Sequence, residues 1–199
     1  MTTTVCDPAT RVTKSLLGYG VIAGPFYVIV SLIQALTREG FDLTKHAWSL
    51  LANGGPGWIQ IANFVLTGLM VVAASVGLRR AGAGTWGPRL LAVYGLSLVA
   101  AGIFRADPAQ GFPVGASEEI TTHGVLHFAA GGVGFLCLAI ACFVLARRFA
   151  PTFSRATGVL FLAGFAAIAT GGPVLAFTAA ILLAWTWLST TSFHYYTNN

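Results

Sequence analysis

The sequence predicts an all-α polytopic membrane protein, a six-helix transmembrane bundle with both termini in the cytoplasm. Three observations predict it. Only 9% of the 199 residues are charged and 56% are hydrophobic, whereas a soluble domain carries about 25% charged residues; the mean hydropathy is +0.77. Apolar runs of membrane-crossing length recur along the chain between short polar connections. The basic residues gather at alternate ends of those runs. The 24 glycines suit helices that approach closely through small residues. The length fits one transmembrane domain, residues 1–199, with little left over for a soluble one.

Met1 to Lys14 is polar and threonine-rich. The run that follows, residues 15–36, is too long for a signal-peptide core of about 7–15 residues and reads as the first span. Pro25 inside it removes a backbone hydrogen bond and is expected to kink it. In the next connection Asp42 is a candidate N-cap and Asn53-Gly54-Gly55-Pro56 a stop. Between them Leu43, Ala47, Leu50 and Leu51 form an apolar stripe, while Asp42, His46, Ser49 and Asn53 fall on a polar one. This predicts a short interfacial helix. It is either a plain amphipathic connector or one that turns its polar stripe toward His123 and His127.

Trp58 opens the second span, 58–78, at headgroup level, and Arg79 and Arg80 end it. The third span is 89–104. The fourth is 123–145, stopped by Arg147 and Arg148. The apolar stretch 155–192 is too long for one crossing, and Gly171-Gly172-Pro173 divides it into 155–170 and 174–192. A five-span chain with a kinked last helix is the competing count. His194 falls just beyond the last span.

Six spans put Arg11, Lys14, Arg79, Arg80, Arg89, Arg147, Arg148 and Arg155 on one side against Asp7 alone. The other side holds Arg38, Lys45 and Arg105 against Glu39, Asp42, Asp107, Glu118 and Glu119. The positive-inside rule makes the basic side cytoplasmic. The expected location is the cell (plasma) membrane, and the lipid bilayer is the first partner. The net charge of +5 does not imply nucleic acid, because the basic residues lie in small groups beside apolar runs. Cys6, Cys137 and Cys142 show neither a disulfide framework nor a metal-binding pattern and read as apolar filler.

The chemistry concentrates between Arg105 and His127. Arg105 and Asp107 are expected to cap the third helix and pair with each other. His123 and His127, four apart, share one face of the fourth helix. Three readings follow. In the first, an extracytoplasmic polar pocket binds a small-molecule or lipid-like ligand. In the second, His46, His123 and His127 hold zinc, three histidines and one water being a catalytic arrangement; Asp42 or Asp107 orients a ligand or acts as base, and a lipid-like ester or amide is hydrolysed. In the third, Asp107, Glu118, Glu119 and the histidines form the proton or cation entry of a proton-coupled or small-solute transporter. A histidine occupied only by a neighbouring helix is the structural alternative. Bis-histidine haem needs matched histidines on two helices, and only the fourth helix carries one well inside.

Several blocks carry a resemblance. They are Phe41 to His46 (Phe-Asp-Leu-Thr-Lys-His) with Ser49-Leu-Leu, Gly57 to Gly68 (Gly-Trp-Ile-Gln-Ile-Ala-Asn-Phe-Val-Leu-Thr-Gly), Ala106 to Pro113, His123-Gly-Val-Leu-His127-Phe, and Ala156 to Phe165. Across nearly the whole chain these resemble the prokaryotic integral-membrane family known as domain of unknown function 998, most closely its actinobacterial-type members. The resemblance implies about six membrane helices and no assigned activity. More loosely, His123 and His127 with His46 are similar to the zinc set of the alkaline ceramidase and adiponectin-receptor superfamily, which adds Ser49 to Asp42 and Asp107 as a catalytic candidate. That superfamily usually has seven spans and carries its histidine pair on the last helix. Its serine precedes the lone histidine by four residues, whereas Ser49 follows His46 by three.

Overall fold

A computed structural model describes residues 7–199; Cys6 lies outside the described residues. Six helices make the bundle: α1 Pro8–Thr37, α2 Gly57–Arg80, α3 Trp86–Ile103, α4 Thr122–Leu145, α5 Pro151–Ala169 and α6 Val174–Thr197. Each is long and apolar enough to cross a membrane. The stretch after Arg155 is therefore two helices, and Gly171, at φ +81°, takes the turn between them. Each helix packs on its neighbours in the chain, and α6 returns to pack on α1. The result is a closed ring of six helices.

The outside of the ring is apolar. Ile29, Ile33, Leu66, Leu69, Leu96, Ile140 and Val159 are all exposed there, a surface suited to lipid. Three connections share one end of the ring: residues 38–56, 104–121 and 170–173. Both described termini and the clusters around Arg79, Arg89, Arg147 and Arg155 share the other. The half toward this basic end is filled. Leu17, Leu78, Leu91, Leu145, Leu188 and Trp187 are fully buried, and the Trp187 indole N–H donates to Ser154 Oγ at 2.9 Å.

Helix ends differ from the hydropathy limits. α1 and α5 begin earlier than expected, each with a proline in its first turn, where the missing N–H costs nothing. The helix of α1 continues through Pro25. α6 runs on to Thr197, so His194 lies in its last turn and not beyond it. There His194 packs on Phe149, 5.1 Å between ring centroids.

The expected amphipathic helix after Asp42 does not form. Residues 43–45 make a turn, and only Trp48–Ala52 is helical, as a 3₁₀ segment. Local side chains take the backbone groups a helix needs. Asp42 Oδ1 accepts from the Thr44 N–H at 2.8 Å and the Thr44 hydroxyl at 2.6 Å, and the Asp42 N–H donates to His46 Nδ1 at 2.9 Å. The polar stripe is thereby broken up: Asp42 stays at the surface while His46 and Asn53 turn inward and are buried.

Candidate functional site

The connections at the loop-rich end interlock into a cap. Arg38 donates from Nη1 to Leu51 O and from Nη2 to Asn53 O, each at 2.5 Å, and its guanidinium lies 4.8 Å from the Phe112 ring centroid. Asn53 Nδ2 donates to Ala106 O at 3.0 Å. Ala109 and Phe112 exchange backbone hydrogen bonds of 3.1 Å across a tight turn. Gln110 and Gly111 both have positive φ, as a type I′ turn requires. His46 sits inside this cap, its ring 5.2 Å from Phe41 and 5.4 Å from Phe112. Nδ1 accepts from the Asp42 N–H, and Nε2–H donates to Gln110 O at 3.0 Å. Both ring nitrogens are thus occupied by backbone, and the tautomer is fixed by the donor on one side and the acceptor on the other.

His127 is placed differently. α4 begins at Thr122, where Thr121 Oγ1 accepts from the Gly124 N–H at 3.1 Å, so His127 lies about 8 Å into the helix. Its Nδ1–H is shared between Phe104 O at 2.8 Å and Ala101 O at 3.2 Å. These carbonyls lie at the C-terminal end of α3, where intrahelical donors run out. His127 therefore caps α3 and leaves Nε2 as the ring's open acceptor.

Asp107 does not pair with Arg105. Among the described residues the only acid–base ion pair is Lys45 with Asp42, at 3.2 Å. Asp107 turns instead to the start of α4, accepting from the Thr121 N–H at 2.9 Å and the Thr121 hydroxyl at 2.5 Å. The carboxylate packs against Gly124, where an added Cβ would collide with it. Those two hydrogen bonds hold its carboxyl below the usual carboxylate range, with His123 and His127 adding a favourable field. Asp42 is lowered to about 2, chiefly by its bonds to Thr44.

The sign of both shifts makes the tethers full above the ordinary aspartate value of about 3.9 and lost as pH falls toward the folded values. Amide protection at Thr121, corrected for intrinsic exchange, is expected to fall as pH is lowered below about 4. In Asp107→Asn it is expected to be weak at every pH. Unchanged protection in wild type down to about pH 2 would show that the carboxylate does not hold the cap.

The three proposed zinc ligands do not converge. Among the described residues no group of three or more His, Cys, Asp or Glu side chains is arranged to hold a metal ion. His46 has no free nitrogen, and His123 is exposed, with its ring on Phe104. The structure does bring His123 and His127 within electrostatic reach of Asp107. It leaves Asp42 at the surface and sets Ser49 in the wall of a cavity.

That cavity occupies the loop-rich half of the ring, with a volume of about 120 Å³. All six helices and the 3₁₀ segment line it, and much of its wall is aromatic: Tyr27, Trp48, Phe64, Tyr94, Phe135, Phe177 and Trp185. His127 is the one charged-type side chain in the wall. Trp48 is 5% exposed, and its Nε1–H is buried with no acceptor. Phe128 lines the cavity and is also 72% exposed.

Two features were not assigned a role from the sequence. One is the cap contributed by Arg38, Phe112 and Trp48. The other is a buried amide network between α1 and α2. Gln60 Oε1 accepts from Gln34 Nε2 at 2.8 Å and Asn63 Nδ2 at 3.2 Å; Asn63 Nδ2 also reaches Tyr27 O at 3.1 Å, and Thr67 donates to Asn63 Oδ1 at 3.2 Å. The signal was present as Gln60, Asn63 and Thr67 at three- and four-residue spacing inside an apolar run.

Ring closure, an apolar outer face and a capped internal cavity define a multi-pass helical membrane protein. Residues 21–194 match the family described as "Protein of unknown function (DUF998)", and the chain belongs to that family. No curated protein and no solved structure matches it.

Proposed function

We propose that the protein binds a small, largely apolar ligand inside the helix ring, on the extracytoplasmic side of the cell membrane. The carrying observation is the aromatic cavity with His127 in its wall, whose Nδ1 is taken by backbone and whose Nε2 has no hydrogen-bond partner in the protein. Pockets of this kind, apolar with few placed polar groups, are the common form of small-molecule sites. The basic end is assigned to the cytoplasm by its eight Lys and Arg residues. Within the family, we read the chain as an actinobacterial-type member, on the resemblance that its sequence blocks carry. The exposure of the cavity-lining Phe128 supports ligand access from the bilayer. The filled basic half supports binding over passage through the bundle.

The cavity can be closed without disturbing the fold. Gly131 lines it, and a Cβ added there meets nothing within 4 Å. Protein purified into lipid nanodiscs is expected to retain a small molecule detectable by mass spectrometry of its extract. Gly131→Leu, equally stable by thermal denaturation, is expected to lack it. Identical extracts from the two proteins would end the proposal.

A further inference from the structure

We infer that the ligand is a neutral, single-ring molecule bearing a hydroxyl group, of the phenol type, held with its O–H on His127 Nε2. This deepens the reading above and rests on it. Three properties of the cavity converge.

The first is hydrogen-bond polarity. His127 Nδ1 faces two backbone carbonyls and so carries the proton; in the neutral ring Nε2 is then an acceptor. A ligand must bring a donor to it. Carboxylates, phosphates, ethers and ketones bring only acceptors. A hydroxyl brings that donor in a small, neutral group.

The second is charge. No Asp, Glu, Lys or Arg lines the cavity, so a charged ligand meets no counter-charge in an apolar wall.

The third is size and shape. The volume is about 120 Å³, and an apolar cavity of roughly 150 Å³ in another protein accommodates benzene. The volume suits a single ring. Phe64, Tyr94 and Trp185 line the cavity, and aromatic side chains pair favourably with an aromatic guest.

The test uses phenol, anisole and benzene as probes on nanodisc-embedded protein, with Kd measured by titration calorimetry. Benzene lacks the hydroxyl, and anisole keeps the oxygen but loses the donor. Wild type is expected to prefer phenol to either by about tenfold. His127→Leu is expected to bring the three to near equality. Comparing ratios between the two proteins cancels partition of the probes into lipid. Because His127 also caps α3, that variant can fail to fold. The ring ¹⁵N resonances of histidine-labelled wild type then decide: His127 Nε2 is expected to shift with phenol and not with anisole. Equal binding of all three probes to wild type, blocked by Gly131→Leu, would overturn the hydroxyl inference and leave the cavity's binding role standing. Probe uptake that Gly131→Leu leaves unchanged would overturn both.

Discussion

Replacing Gln60 with leucine is expected to destabilise the bundle by about 2–4 kcal/mol, measured by reversible unfolding in mixed micelles. Gln60 is fully buried, and its Oε1 is the acceptor at which Gln34, Asn63 and Ser31 meet. Leucine keeps the volume but strands the facing donors. Gln34 is the most exposed to that loss, because its own Oε1 already has no partner and its remaining bond is Nε2 to Val30 O at 3.2 Å. Inside a membrane no water substitutes for the missing acceptor. The damage should therefore be relieved by a second substitution that removes a stranded donor. Gln34→Leu in the Gln60→Leu background is expected to recover part of the loss, since removing both partners costs less than removing one. A double variant weaker than either single would refute this account.

The second large effect is expected at the crossing of α2 and α3. A Cβ built on Gly68 falls 2.5 Å from Gly95 O, and one built on Gly95 falls 2.6 Å from Gly68 O. Both obstacles are backbone, which cannot turn aside as a side chain can. Gly68→Val and Gly95→Val each force the helices apart along their seam, and overpacking of this kind typically costs about 1–3 kcal/mol or more. Loss of monodisperse protein in size-exclusion chromatography is the expected readout. Gly18→Val is the control, because a Cβ at Gly18 meets nothing within 4 Å. A stable, monodisperse Gly68→Val would mean that the helices do not approach as closely as described.

Both effects come from positions that composition alone treats alike. Gly18 and Gly68 are equivalent in a hydropathy profile, and Gln60 is one polar residue in an apolar run. What separates them is the helix that lies opposite. The same holds for the histidines. His46 and His127 read as two ligands on one side of the membrane, and their shared loop-rich end is what the structure shows. Their different tasks follow from backbone groups distant in sequence. Gln110 O occupies Nε2 of His46, while Ala101 O and Phe104 O occupy Nδ1 of His127 and leave Nε2 open. The surface at 43–51 shows the opposite failure. Its helical period was real in sequence, but the side chains of Asp42 and His46 satisfied the local backbone by another route.

The frame of six membrane helices, the division at Gly171, and the gathering of Asp107, His123 and His127 near one end of the bundle were legible along the chain. These depend on hydropathy, helix length and turn residues, which are local and add along the chain. Packing between helices decided that the bundle closes into a ring, that an aromatic cavity remains in one half, and that His127 lines it with Nδ1 taken by backbone and Nε2 unpartnered in the protein. Those depend on which carbonyls and rings arrive from other helices, and no periodicity within a single segment carries that information.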